Sequence, residues 1–384
     1  MGNQNYHAPQ PGPPSPIILG KPPQNEPNLP TQLKDYFGFF AVPTRTLTWA
    51  YIAILVSAGL WLSLTIVSGF IDVITYFLVV FTRREAIDSP EILLPAEFLI
   101  YNLFSAASIP VAVVVAWLFY KQGFGWLSSV VGRFRWKWFG TTLGIFAFGY
   151  LAMKVGEILT LGPSNVDLND LAIWPYTGFM IVVILLTTPL QSAGEEYLWR
   201  ALMPRLISAL IPVRSVGLIF SALVSSGLFM WAHYVSDLWS NLYYFGLGLV
   251  LWWLCYRTGG LEASVALHIT VNVVEMWFLP FSDLAAMIDS SDGLTGSPAL
   301  MLYLAVQVVL ALIIDWLARR RGLVRMASPS APIPHVVKAK TLVLNLAAAE
   351  PATEADLPRL ASTPRETPGF TSQTDIPQTS GESH

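Results

Sequence analysis

Apolar residues run along this chain in blocks long enough to cross a lipid bilayer, and polar residues collect between the blocks. A helix needs ~20 mostly apolar residues to span the hydrocarbon core. The pattern predicts eight such helices, at about residues 49–81, 94–120, 138–161, 175–210, 214–233, 239–256, 260–279 and 298–318. The fourth exceeds one simple crossing, at ~1.5 Å of rise per residue. Pro189 lies within it and is expected to kink it, because proline removes a helix hydrogen bond. The predicted fold is an all-α, polytopic transmembrane helical bundle. No stretch between spans is long enough for a soluble catalytic domain, so any chemistry must come from helices or short loops.

The ends read differently. Residues 1–35 are rich in Pro, Asn and Gln and lack the apolar core of a signal peptide. They are predicted to be a disordered tail. Residues 326–384 are rich in Pro, Ser, Thr, Ala and Glu and are predicted to be mostly disordered, with 335–349 a candidate short amphipathic helix. Between the tails lie N-terminal transmembrane helices (36–174), a motif-bearing core (175–280) and a last transmembrane helix (281–325).

Composition agrees with the pattern. Of 384 residues, 54% are hydrophobic and only 12% charged, where a soluble domain carries about a quarter charged. The net charge of −3 gives no basic surface for nucleic acid. The single cysteine, Cys255, excludes an internal disulfide. Lys and Arg mark cytoplasmic loops. Lys121, Arg133, Arg135, Lys137, Arg205, Arg214 and Arg257 fall in alternate loops, with Lys34, Arg45 and Arg319–Arg321 at the ends. The opposite loops carry little beyond Arg83 and Arg84. Both termini are therefore expected in the cytoplasm.

Three polar motifs interrupt the apolar blocks. In "EEYLWR", Glu196 and Arg200 are four apart and share a helix face. Glu195 points about 100° away, free of that pairing. In "FMWAH", Phe229 and His233 share a face, and a turn near Pro212 folds this segment back toward Glu195. In "HITVN", His268 and Asn272 lie one turn apart on an otherwise apolar helix. Polar groups there must face the bundle interior or water. Singly, each motif has a plainer reading: a charged helix end, an interfacial histidine, a polar helix contact. Other intramembrane charges include Lys154 with Glu157, most simply a mutual pair, and Glu275 near the Asn272 face.

A carboxylate beside an imidazole can activate water, and an imidazole with a carboxamide can donate to a developing oxyanion. Glu195, His233 and His268 also supply an oxygen and two nitrogens, a ligand set found in catalytic zinc sites. Zinc is thus a possible cofactor, and the residues leave both routes open. The zincin pair and the serine nucleophile elbow are missing. A transporter using a helix broken at Pro189 is a competing reading.

E-E-x-x-x-R, F-x-x-x-H and H-x-x-x-N, in this order on successive apolar segments, resemble the CPBP family of CAAX-processing and bacteriocin-processing (Abi-type) membrane endopeptidases. The resemblance covers about residues 175–280. It implies an intramembrane endopeptidase site reached from the cytoplasmic side. Glu195 and His233 would orient the attacking water, His268 and Asn272 would support the oxyanion, and Glu196 with Arg200 would shape the site. Members are commonly named metalloproteases, and a metal-free glutamate mechanism fits the motif equally well. The implied substrate is a membrane protein or lipid-modified peptide. Some relatives act in bacteriocin immunity or as scaffolds, which makes a catalytically silent protein the main alternative.

Overall fold

The computed structural model describes residues 28–42, 47–83, 90–161, 171–283, 296–331, 335–338 and 350–351. Its helices are α1 (Leu47–Arg83), α2 (Pro90–Ala106), α3 (Ser108–Tyr120), the short α4 (Phe124–Ser128), α5 (Trp136–Leu161), α6 (Thr177–Glu196), α7 (Met203–Leu210), α8 (Arg214–Trp231), α9 (Leu238–Thr258), α10 (Glu262–Glu275) and α11 (Ala299–Arg320). Combined where they continue one another, they give eight spans long and apolar enough to cross a membrane. Large apolar side chains point outward all along them: Leu55 is 71% exposed, Phe148 79% and Leu186 65%. Such a surface suits lipid and not water. The chain is an integral, multi-pass membrane protein.

The fourth span, Thr177–Leu210, continues as α-helix past Pro189. The α-helix ends at Glu196, and the departure from regular geometry comes there instead, as a π-helical segment over Tyr197–Leu202. Inserted π turns widen a helix locally and occur often at functional sites. This one follows Glu195 and Glu196 directly and carries Arg200.

Packing brings α6 against α2 and α10, α10 against α5 and α9, and α8 against α9. The α2–α6 contact is close. Asn102 donates to the hydroxyls of Thr187 (2.8 Å) and Thr188 (3.1 Å). One turn further along, a Cβ on Gly194 would run into the Ser105 carbonyl. Only glycine allows that approach, and it sits next to Glu195. Gly194→Val is therefore expected to cost about 1–3 kcal/mol or more, as overpacking does. Thermal unfolding of the purified protein checks this; an unchanged melting temperature would contradict the close packing.

One end of the bundle carries a small antiparallel sheet in the order β1 (Lys34–Asp35), β2 (Val324–Ala327), β3 (His335–Lys338), β4 (Glu350–Pro351). Part of what the sequence suggests is tail is therefore strand, and His335–Lys338 is not the start of a helix. Pairing Lys34 with Ala327 and Asp35 with Met326 occupies backbone groups that a free tail leaves to water. Val336 and Val337 are buried there. The rest of the expected tails, 1–27, 332–334, 339–349 and 352–384, lies outside the described residues.

Basic side chains gather at this end. Arg135 grips Glu262 with Nε to Oε1 (2.8 Å) and Nη2 to Oε2 (2.6 Å). Arg257 forks onto Asp315 at 2.7 and 2.9 Å, and Arg214 pairs with Asp35. Arg205, expected in a loop, is buried in α7 instead. Its guanidinium lies 4.0 Å over the Tyr36 ring and near Phe39 and Phe40, and it donates to the Trp126 carbonyl at 2.9 Å. An aromatic cage stabilises a buried cation through the ring faces.

Candidate active site

The last turn of α6 reads Gln191-Ser192-Ala193-Gly194-Glu195-Glu196, and every residue of it except Ala193 is buried. The facing strip of α10 reads Ser264, His268, Asn272, Glu275, with steps of four, four and three. Those steps keep all four on one helix face. Ser264, His268 and Asn272 meet side chains of the α6 strip.

Glu196 is the fully occupied carboxylate. His268 Nδ1 lies 2.9 Å from its Oε1, and the Ser264 hydroxyl donates to its Oε2. Arg200 Nη1 lies 3.6 Å from Oε1, an ion pair longer than a hydrogen bond. The Arg200 guanidinium also stacks 3.9 Å over the Phe229 ring. The expected Glu196–Arg200 pairing is present, and His268 and Ser264 add to it.

Glu195 differs. Gln191 Nε2 donates to its Oε1 at 2.5 Å. Its Oε2 is buried and has no hydrogen-bond partner among the described residues. His268 Nε2 stands 3.7 Å from that oxygen, close enough for one water to touch both. His268 thus faces both carboxylates, one through each ring nitrogen. Asn272 Nδ2 donates to Gln191 Oε1 (3.0 Å) and to the Ser192 hydroxyl (3.1 Å). Asn272 therefore reaches Glu195 through Gln191.

His233 follows the end of α8. Its Nδ1 lies 2.7 Å from the Phe229 carbonyl, which can only accept, so Nδ1 carries the proton. In the neutral ring this leaves the Nε2 lone pair free. The ring stacks on Tyr244 at 3.8 Å and meets the edge of Phe229 at 4.5 Å. Burial holds the His233 pKa below its ordinary value, against an opposing pull from Glu195.

Glu195 and His233 line one cavity of about 290 Å³. Its other wall comes from α1 and α2, with Trp61, Asp72 and Tyr101. The six residues expected from the sequence thus fall into one network. Glu195 and His233 face the cavity; Glu196, Arg200 and His268 form the buried cluster beside it; Asn272 braces Gln191.

The zinc-ligand set of Glu195, His233 and His268 is not assembled. Among the described residues no three His, Cys, Asp or Glu side chains converge as metal ligands. His268 Nδ1 and His233 Nδ1 are turned to Glu196 and to the Phe229 carbonyl, which leaves the Nε2 of each ring for other partners. Glu275 belongs to a separate cluster: Lys154 lies 2.9 Å from it and 3.5 Å from Glu157, and the Tyr150 hydroxyl donates to it at 2.5 Å. Lys154 therefore bridges two carboxylates and is not simply the partner of Glu157.

Sequence reasoning missed Gln191, Ser264, Tyr244 and Asp72. Two had readable signals: Gln191 precedes Glu195 by four, and Ser264 precedes His268 by four. Asp72 is a lone acid within the apolar run of α1, and such a residue is a functional candidate by default.

A polytopic bundle thus brings a carboxylate and an imidazole to one cavity. Residues 176–274, from the start of α6 to the end of α10, match the family model described as type II CAAX prenyl endopeptidase Rce1-like, a model of the CPBP family. No curated protein and no solved structure matches the chain. The family is one of membrane proteases, which supports a hydrolase acting on a membrane-associated, prenylated substrate.

Proposed function

We propose that this protein hydrolyses a peptide bond of a membrane-associated, lipid-modified substrate by glutamate-activated water. The observation that carries the reading is the difference between the two adjacent carboxylates. Glu196 is fully partnered, whereas Glu195 keeps one oxygen with no hydrogen-bond partner among the described residues and lines the cavity that His233 also lines.

In this mechanism a water rests against Glu195 Oε2 and His233 Nε2. Glu195 takes one proton as the oxygen attacks the scissile carbonyl. His268, in its doubly protonated form, donates Nδ1–H to Glu196 and Nε2–H to the oxyanion. The proton on Glu195 then passes to the leaving nitrogen as the C–N bond breaks, which gives a carboxylic acid and an amine, and the acid's proton then passes to the amine to leave a carboxylate and an ammonium. Asn272 acts through Gln191 as a positioning residue. Glu196 and Arg200 hold His268 in place. No step passes through a metal. Residues 175–280 form the catalytic core, the helices before and after wall it, and the basic end with both termini faces the cytoplasm.

The test is cleavage of a farnesylated peptide by the protein in lipid vesicles, read by mass spectrometry. Wild type should release a new carboxylate and amine, and His233→Ala should not. The pH dependence is specific. The mechanism needs neutral His233, whose pKa is held below the ordinary ~6.5. The acid limb that His233 sets should therefore lie below about pH 6.5. An acid limb centred above that value would contradict the role given to His233.

A further inference from the structure

The cavity that holds Glu195 and His233 contains a second acid. Asp72 lies on α1, outside the family-matched residues, yet it lines the same cavity. Its Oδ1 is buried and has no hydrogen-bond partner among the described residues. Glu195, 8% exposed, aims its own unpartnered Oε2 into the same space. No lysine or arginine lines this cavity. Other described intramembrane acids do have close cations: Glu196 has Arg200, Glu275 has Lys154, and Asp315 has Arg257 and Arg319.

With Asp72 ionised and unpaired the cavity carries net negative charge, because His268, 3.7 Å from Glu195, balances that carboxylate alone. Charge at membrane depth is costly unless paired. The remaining walls combine aromatic rings, among them Trp61, Tyr101, Trp199 and Tyr234, with small side chains such as Ser105 and Ser108. Trp61 meets Trp199 edge-on at 6.4 Å, which ties α1 to the π segment beside the site. Aromatic faces attract cations, and a negative cavity repels a free terminal carboxylate.

We propose that this cavity recognises a cationic group of the substrate peptide, a lysine or arginine side chain, with Asp72 as its counter-charge. This makes Asp72 a specificity-determining residue. It rests on the endopeptidase reading only in taking the ligand to be a lipidated peptide.

Equilibrium binding tests it without turnover. The probes are fluorescent farnesylcysteine peptide amides whose other residues are D-amino acids, so they resist cleavage. Lysine, norleucine or glutamate is scanned through the three positions after the farnesylcysteine. Wild type in lipid nanodiscs should bind lysine about tenfold tighter than norleucine at one of these positions, and glutamate most weakly. Asp72→Asn should abolish the preference, and Asp72→Glu should keep it. The Asp72→Asn fold is checked by its melting temperature, and if it does not fold the wild-type comparison still decides. No lysine preference at any position overturns the proposal, and so does a preference that survives in Asp72→Asn. A protein with the preference that cleaves no peptide would defeat the hydrolase reading and leave this site standing. Cleavage without the preference would do the reverse.

Discussion

Glu196→Ala is expected to destabilise the bundle by about 3–5 kcal/mol, because it strands the buried Arg200 guanidinium without its counter-charge. Arg200 is 1% exposed and stacked over Phe229, with neither terminal nitrogen hydrogen-bonded. The same substitution removes the acceptor for His268 Nδ1 and for the Ser264 hydroxyl. Unpaired buried donors add to the cost. The loss should appear as a large fall in melting temperature of the purified protein. A normal melting temperature would mean that Arg200 finds another partner.

Glu195→Gln should behave in the opposite way. Its carboxylate has one hydrogen bond, from Gln191, and otherwise faces the cavity. A glutamine of the same length keeps the volume and can rotate its oxygen to Gln191. Stability should change little. Cleavage should fall by about 10²–10⁴-fold, the usual contribution of a positioned general base. The two neighbours thus separate folding from chemistry within one turn of helix. Measuring melting temperature and rate on both variants checks the separation. A Glu195→Gln protein that unfolds would place this carboxylate among the structural ones.

Much of this arrangement is legible in the sequence, because lipid imposes length and satisfaction rules on the chain. Eight apolar runs become eight spans, since nothing shorter crosses the hydrocarbon. Polar residues stranded in those runs have to face inward, and helical spacing says which share a face. That is how Glu196 with Arg200, and His268 with Asn272, could be paired in advance, and how Glu195 could be singled out as differently directed.

What spacing does not carry is contact between helices. It cannot say that His268 bonds Glu196, or that Asn272 reaches Glu195 only through Gln191, because α6 and α10 meet through tertiary packing. The π segment at Tyr197–Leu202 has no residue signature, and the helix continues past Pro189. The sheet joins Lys34–Asp35 to residues beyond 324 through very short strands. Two- and four-residue strands show no alternation to read. Arg205 looks like a loop charge because its aromatic cage comes from residues 36–40, far away in sequence. Asp72 was visible as a lone acid, but only the folded cavity gives it company.

The central claim is that Glu195 acts on water in a membrane-embedded cavity. The most direct measurement is cleavage of one farnesylated peptide by wild-type and Glu195→Gln protein in the same lipid vesicles, each shown to melt at the same temperature. The account predicts product from wild type and a loss of about 10²–10⁴-fold in the variant. Product at the wild-type rate from Glu195→Gln would contradict it.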